Sequence, residues 1–374
     1  MKESQFGELS IIGMKGCEGF VDQVNAYLTE WRRHDGDASY VINADCPRFG
    51  SGEAKGLIHQ SVRGNDLYII SDVFNHGVTY TMYGKEVPMS PDDHYQDLKR
   101  IIQAAEGKAR RISVVMPMLY EGRQHKRSSR ESLDCAVALQ ELVNMGVSNI
   151  ITFDAHDPRV QNAIPLSGFD NVRSSYQMIK ALLREYPDVD FDPEKIMIVS
   201  PDEGGMAKCM YYSSMLGIQL GMFYKRRNYS IIVNGKNPIE AHEYLGRDLK
   251  GKDVIIVDDM ISSGDSIIDV ALQLKEKGAN RIFVFATFGL FCNGLERMDE
   301  AYEKGLFTRI FTTNLVYQTP ELLAREWYGD VNMCKYVAYI IDTLNHDQTI
   351  SGLLDQSKRI HTLVNKHKEK LGEK

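Results

Sequence analysis

Short runs of β-branched and aliphatic residues recur along the chain, and between them apolar residues return every three to four positions. The unbroken runs read as strands covered on both faces, and the wider spacing reads as amphipathic helix. Leu9 to Ile12 is such a strand, and Phe20 to Trp31 is a helix with Val21, Val24, Leu28 and Trp31 on one face. Leu67 to Ile70, Ile112 to Met116 and Asn149 to Phe153 are further strands, with a helix from about Ser132 to Met145 before the last of them. Tyr186-Pro187-Asp188-Val189-Asp190-Phe191-Asp192-Pro193 breaks both periods and predicts a domain boundary. Beyond it, Lys195 to Val199, Val254 to Val257 and Arg281 to Thr287 repeat the strand pattern. This alternation predicts an α/β protein of two successive domains, 1–186 and 187–355, each a mainly parallel sheet flanked by helices. Arg32 to Ser39 and Gly77 to Pro91 lack periodicity and read as insertions, and 356–374 reads as a basic, solvated tail.

Composition narrows the classes. At 374 residues, with 43% hydrophobic and 25% charged residues, the chain is an ordinary globular sequence. A net charge of −7 gives no electrostatic case for nucleic acid, so any phosphate binding must be local. Its six cysteines lack CxxC spacing, which speaks against zinc and disulfides and for a reducing, cytoplasmic setting. No apolar run approaches 18 residues, so neither export nor a membrane partner is expected.

Chemistry concentrates at one place. After the run Val254 to Val257 come Asp258 and Asp259, then Met260-Ile261, then Ser262-Ser263-Gly264-Asp265-Ser266. A helix pattern follows: Ile267, Ile268, Val270, Ala271, Leu274, stopped by Gly278. A strand, a small-residue loop and a helix amino terminus together make an anion site. Carboxylates beside such a cradle need hydroxyls or a cation to meet, and sugar hydroxyls and Mg²⁺ suit them.

This segment resembles the phosphoribosyl diphosphate (PRPP) signature shared by type I phosphoribosyltransferases and ribose-phosphate pyrophosphokinases. Five more segments resemble the second family in its own order. Arg48-Phe49-Gly50-Ser51-Gly52-Glu53 is similar to its RFSDGE loop, with Ser51 where the family has Asp. Gly122-Arg123-Gln124-His125 is similar to its Arg-Gln-Asp loop, with His125 at the acid. Asp154-Ala155-His156 resembles DLH, Ser200-Pro201-Asp202-Glu203-Gly204-Gly205 resembles SPDxGG, and Lys225-Arg226-Arg227 resembles the start of the catalytic flap. Asp265 stands where the family has glycine, so it must point away from a phosphate, and Gly264 can take over the conformational role.

The resemblance implies two phosphoribosyltransferase-like domains and transfer of the diphosphoryl group of ATP to ribose 5-phosphate. It implies ATP contacts from Phe49, Ser51, Glu53, Arg123, Gln124 and His125, and charge stabilisation by Lys225 and Arg227. Asp258 and Asp259 would take the sugar hydroxyls, and Ser262, Ser263, Gly264, Asp265 and Ser266 the 5-phosphate. His156 and Asp202 would attend Mg²⁺, and the Phe49 loop implies a homo-oligomer whose nucleotide site is shared between subunits. A PRPP-using phosphoribosyltransferase and a non-catalytic regulatory homologue are the alternatives. The altered positions 51, 125 and 265 motivate the second of these.

Overall fold

A computed structural model describes residues 5–32, 39–227 and 239–372, with 225–227 and 239–242 described by their backbone alone. The chain forms two compact units: 1–174 with 314–319 and 332–355, and 175–313 with 320–331 and 356–374. The break expected at 186/187 therefore falls after Ser174. The helix Ser175–Glu185 packs on the strands Arg309–Thr313 and Tyr328–Val331, and so belongs to the second unit. Nor are the units strictly successive, because 332–355 returns to the first. There the helix Cys334–Asn345 packs along Glu18–Arg32, with Trp31 stacked on Tyr339 at 4.2 Å and Arg32 paired with Asp342 at 2.7 Å.

The first unit is built on five parallel strands in chain order: Glu8–Gly13, Asn65–Ile70, Arg111–Val115, Asn149–Phe153 and Gly168–Val172. The first four lie within a residue or two of the aliphatic runs that predict them, whereas the mostly half-buried Gly168–Val172 left no such run to read, and Asn65–Ile70 is buried at every position. The helices Pro91–Ala105 and Asp134–Asn144 lay Leu98, Ile101, Leu139 and Leu142 against it. The former starts from a complete capping box between Ser90 and Asp93, with proline in its first turn.

The stretch 77–91, aperiodic in sequence, is an ordered hairpin leading into that helix. Thr79–Met82 pairs with Lys85–Pro88 around Tyr83 and Gly84, both in left-handed backbone (φ 48° and 74°). None of its strand side chains is fully buried, so no run of core residues was there to read. The proposed insertion 32–39 falls mostly outside the described residues.

The second unit carries a seven-stranded sheet in the order Ile239–Leu245, Gln219–Arg227, Ile196–Ser200, Asp253–Ile261, Ile282–Gly289, Arg309–Thr313, Tyr328–Val331. All pairs are parallel except the edge hairpin Gln219–Arg227 with Ile239–Leu245. The segment 356–374 is part of this unit rather than a solvated tail. Its helix Ser357–Gly372 buries Ile360, Val364 and His367 on one face, against Ser175–Glu185 and Met206–Leu216. The lysines that make the sequence look solvated occupy the outer face. Among the described residues no helix is long and apolar enough to cross a membrane.

Ile360 is fully buried. Ile360→Ala should destabilise the protein by about 2–4 kcal/mol, the range for emptying a packed aliphatic site. Denaturant unfolding checks it: a loss under about 0.5 kcal/mol, the surface value, would mean that the helix is not docked.

Candidate active site

In the second unit the strand Ile196–Ser200 lies between Gln219–Arg227 and Asp253–Ile261, so the chain leaves it first to one side and then returns on the other. Such a switch point opens a crevice at the carboxyl ends of the two central strands. The loops that leave there are 200–205 and 262–266.

The carboxylate pair does not sit in a loop. Its strand continues to Ile261 beside Ile282–Gly289, while pairing with Ile196–Ser200 stops at Val199–Ile256. Asp258 and Asp259 therefore occupy a stretch with one neighbour only, where half-buried side chains are tolerated. Asp258 Oδ1 accepts from the Asp259 N–H (2.8 Å), and Asp259 Oδ1 from the Met260 N–H (3.0 Å). Burial raises the Asp258 carboxyl well above the ordinary carboxylate range, and the adjacent Asp259 charge raises it further. The Lys208 charge opposes that rise without cancelling it, so the pair suits a further cation or hydroxyl donors.

The small-residue loop follows at once. Gly264 holds φ 89°, and a Cβ on it would lie 2.6 Å from Met298 Sδ, so glycine is required twice over. Asp265 opens the 12-residue helix Asp265–Glu276. Its carboxylate accepts from Ser263 Oγ (3.0 Å) and is ion-paired with Arg297. Ser262 Oγ stands 3.8 Å from Cys292 Sγ, and Ser266 is exposed. In the companion loop, Asp202 Oδ1 accepts from the Gly205 N–H (3.2 Å), and a Cβ on Gly205 would approach Ser200 Oγ to 3.0 Å. Lys225 and Arg227 lie on the edge hairpin opposite His242 and Ile239, with a register shift between Arg226 and Arg227. Their side chains and the rest of the flap, 228–238, lie outside the described residues.

The first unit gathers its candidates at the carboxyl ends of Arg111–Val115 and Asn149–Phe153. Asp154 has φ 39°, a conformation held by Ser174, whose N–H and Oγ donate to Asp154 Oδ2 at 3.0 and 2.6 Å. This turn brings His156 against His125, with ring centroids 5.2 Å apart. His125 Nε2 also lies 3.5 Å from Asp157, whose carboxyl is pulled down to about 2, chiefly by the hydrogen bond from Arg159. Gln124 donates its amide to the Ser132 carbonyl (2.8 Å) and so ties its own loop, while Arg123 is exposed.

Arg48 to Glu53 form a tight turn closed by Phe49 N–H to Glu53 O (2.7 Å). Phe49 is 57% exposed, and Ser51 Oγ donates to Glu53 Oε2 (2.8 Å). Arg48, half-buried, forms an ion pair with Asp97 (2.8 Å) and lies over the ring of Tyr80 at 4.6 Å. The hairpin 79–88 braces the turn: the Tyr83 N–H donates to Gly50 O (2.9 Å), and Met82 Sδ packs against Gly52.

Sequence reasoning missed Asp157, Arg159, Tyr80 and Arg297. Asp157 was within reach, one residue past His156. Arg297 lies 32 positions from Asp265, and no local pattern could have joined them.

Comparison with known proteins agrees with this layout. Residues 9–146 match the family model for the N-terminal domain of ribose phosphate pyrophosphokinase, and residues 169–325 the one for the phosphoribosyl transferase domain. A ribose-phosphate pyrophosphokinase of Vibrio cholerae is 26% identical over 336 residues, covering 88% of this chain and 96% of its own. One from Ureaplasma parvum is 32% identical over 221 residues, covering 59% and 63%. The solved phosphoribosylpyrophosphate synthetase of Mycobacterium smegmatis has the same fold, with a TM-score of 0.74 at 21% identity over 91% of this chain and 99% of that one.

The strained pair has a measurable consequence. A carboxylate raised in the folded state costs nothing below the unfolded value of about 3.9; the cost grows as pH rises above that and is complete once pH passes the raised value. Asp258→Asn should therefore raise the melting temperature of the ligand-free protein by a few degrees at neutral pH, with the gain vanishing near pH 4. A variant that melts below the wild type at neutral pH would show that the pair is not strained.

Proposed function

We infer that this chain, which belongs to the ribose-phosphate pyrophosphokinase family, is a ribose-phosphate diphosphokinase that makes PRPP and AMP from ribose 5-phosphate and ATP. One observation carries the reading: a half-buried carboxylate pair, with Asp258 raised in proton affinity, directly precedes a glycine-turned loop at a helix amino terminus, on a switch point. That order matches a sugar phosphate end to end. Asp258 and Asp259 accept from the 2- and 3-hydroxyls, and the 262–266 loop takes the 5-phosphate. A transferase that only consumes PRPP would account for this loop as well, but not for the match of residues 9–146 to the pyrophosphokinase N-terminal domain.

In the reaction, the anomeric hydroxyl oxygen of ribose 5-phosphate bonds to the β-phosphorus of ATP and gives up its proton. The bond from that phosphorus to the α,β-bridging oxygen breaks, and AMP leaves with the oxygen. Such transfer relies on positioning and charge compensation, so no protein nucleophile is needed. Lys225 and Arg227 compensate charge developing on the transferred group. On the nucleotide side, Phe49 offers an exposed ring for the adenine and Glu53, oriented by Ser51, an acceptor for its amine. Arg123 suits phosphate, His125 lies beside it, and Gln124 holds the loop.

Mg²⁺ takes oxygen ligands and needs few from protein when phosphates are present, a demand the Asp202 carboxylate meets and the His156 imidazole does not. Asp202 and His156, each within its own unit, are the positions assigned to it. When bound, Mg²⁺ neutralises phosphate charge. The exposure of Phe49 in a turn braced from behind favours a second subunit over it, hence a homo-oligomer that shares its nucleotide sites.

Incubation with ATP, Mg²⁺ and ribose 5-phosphate should yield AMP and PRPP in equal amounts. Binding of both substrates without product would mark the chain as a regulatory homologue. Lys225→Ala should lower turnover by at least 100-fold, about 3 kcal/mol of transition-state stabilisation, with ribose 5-phosphate affinity nearly unchanged. A variant that keeps a tenth of wild-type turnover would remove Lys225 from the mechanism. Mixing inactive Glu53→Ala and Lys225→Ala subunits should recover part of the activity, whereas proven subunit exchange without recovery would defeat the shared site.

A further inference from the structure

We propose that Arg297 is a ligand of the sugar phosphate, held at the phosphate loop by Asp265. The inference rests on the ribose 5-phosphate reading of that loop and adds a residue to it. Asp265 is the first residue of the helix Asp265–Glu276, where a bound phosphate would meet the first N–H groups. An unpaired carboxylate there would repel a dianion. It is not unpaired: its two oxygens take Arg297 Nη1 and Ser263 Oγ.

Three features set Arg297 against the loop. The Leu290 and Phe291 N–H groups donate to Ile261 O (2.9 and 3.3 Å), and the Cys292 N–H donates to Ser262 O (2.8 Å). The chain leaving the strand Ile282–Gly289 is thereby stitched to the start of the phosphate loop. Gly294, at φ 83°, then turns it into the helix Glu296–Glu303. On that helix Met298 is fully buried and packs under Gly264, whose missing Cβ would stand 2.6 Å from the sulfur. Arg297 precedes Met298, so its position is set by backbone bonds on one side and a buried neighbour on the other.

The side chain itself remains 60% exposed. A guanidinium has five N–H donors in a fixed plane, more than one carboxylate oxygen can occupy, so donors remain for a phosphate oxygen. The Asp265 tether also reduces the rotamer freedom that a solvent-facing arginine would lose on binding. The extra carboxylate, a liability by itself, thus becomes the handle that keeps a cation at the phosphate loop.

Calorimetry of ribose 5-phosphate binding to the full-length protein and three variants tests this. Arg297→Ala should weaken binding by roughly 10- to 100-fold, because a charge-assisted bond is lost and a bare carboxylate is left beside the phosphate. Asp265→Gly with Arg297→Ala should bind more tightly than Arg297→Ala alone, since the repulsion is gone. Arg297→Lys should fall between wild type and Arg297→Ala, and ATP affinity and melting temperature should stay at wild-type values in all three. Wild-type affinity in Arg297→Ala would reduce the ion pair to a surface bridge. A double variant no tighter than Arg297→Ala would show that Asp265 exerts no field on the phosphate. If the wild type binds no ribose 5-phosphate, the functional reading falls first, before any variant is compared.

Discussion

In the second unit the strand Asp253–Ile261 keeps one hydrogen-bonded neighbour after the other has ended at Ser200, and on that half-free stretch it carries Asp258 and Asp259. A strand covered on both sides could not hold two carboxylates, and a loop could not hold them at a fixed spacing. The switch point supplies the intermediate case. Its cost is burial of a carboxylate, increased by the neighbouring charge, and is visible in the raised proton affinity of Asp258. The groups around the pair follow from that cost: hydroxyls or a cation suit it, the phosphate must be taken by N–H groups further on, and the helix after the loop provides them.

Three positions depart from the family's motifs, and each has acquired a partner. Ser51 replaces an acid and donates to Glu53, keeping one carboxylate of the turn in place (2.8 Å). His125 replaces another acid and leans towards Asp157, which Arg159 keeps ionised. Asp265 replaces glycine and is matched by Arg297. A protein that had abandoned its chemistry would have no need for such compensation, which fits an enzyme reading better than a purely regulatory one.

The first unit shows a related economy. The turn Arg48–Glu53 is too short to bury Phe49 and has no core of its own. It borrows rigidity from Asp97 through Arg48, and from the hairpin 79–88 through Tyr80, Met82 and Tyr83. Tyr83 accepts a left-handed backbone to place its N–H on Gly50, a local strain that makes sense at a working loop.

The sequence by itself determined the central strands of the two sheets, because strands buried on both faces are written as unbroken aliphatic runs such as Val254 to Val257, whereas the mostly half-buried Gly168–Val172 and the edge hairpin Gln219–Arg227 with Ile239–Leu245 left no such run. It also located the phosphate loop, since Gly264 and the aspartates before it are contiguous and their chemistry is local. Tertiary structure alone decided what depends on contacts between distant positions. The break after Ser174, the return of 332–355 to the first unit and the docking of Ser357–Gly372 are set by which face finds a partner, and that leaves no period in the chain. The strand's continuation through Asp258 and Asp259 depends on where its neighbour stops. Asp265 and Arg297 meet because Met298 packs under Gly264, a contact between a left-handed glycine and a buried thioether that no spacing encodes.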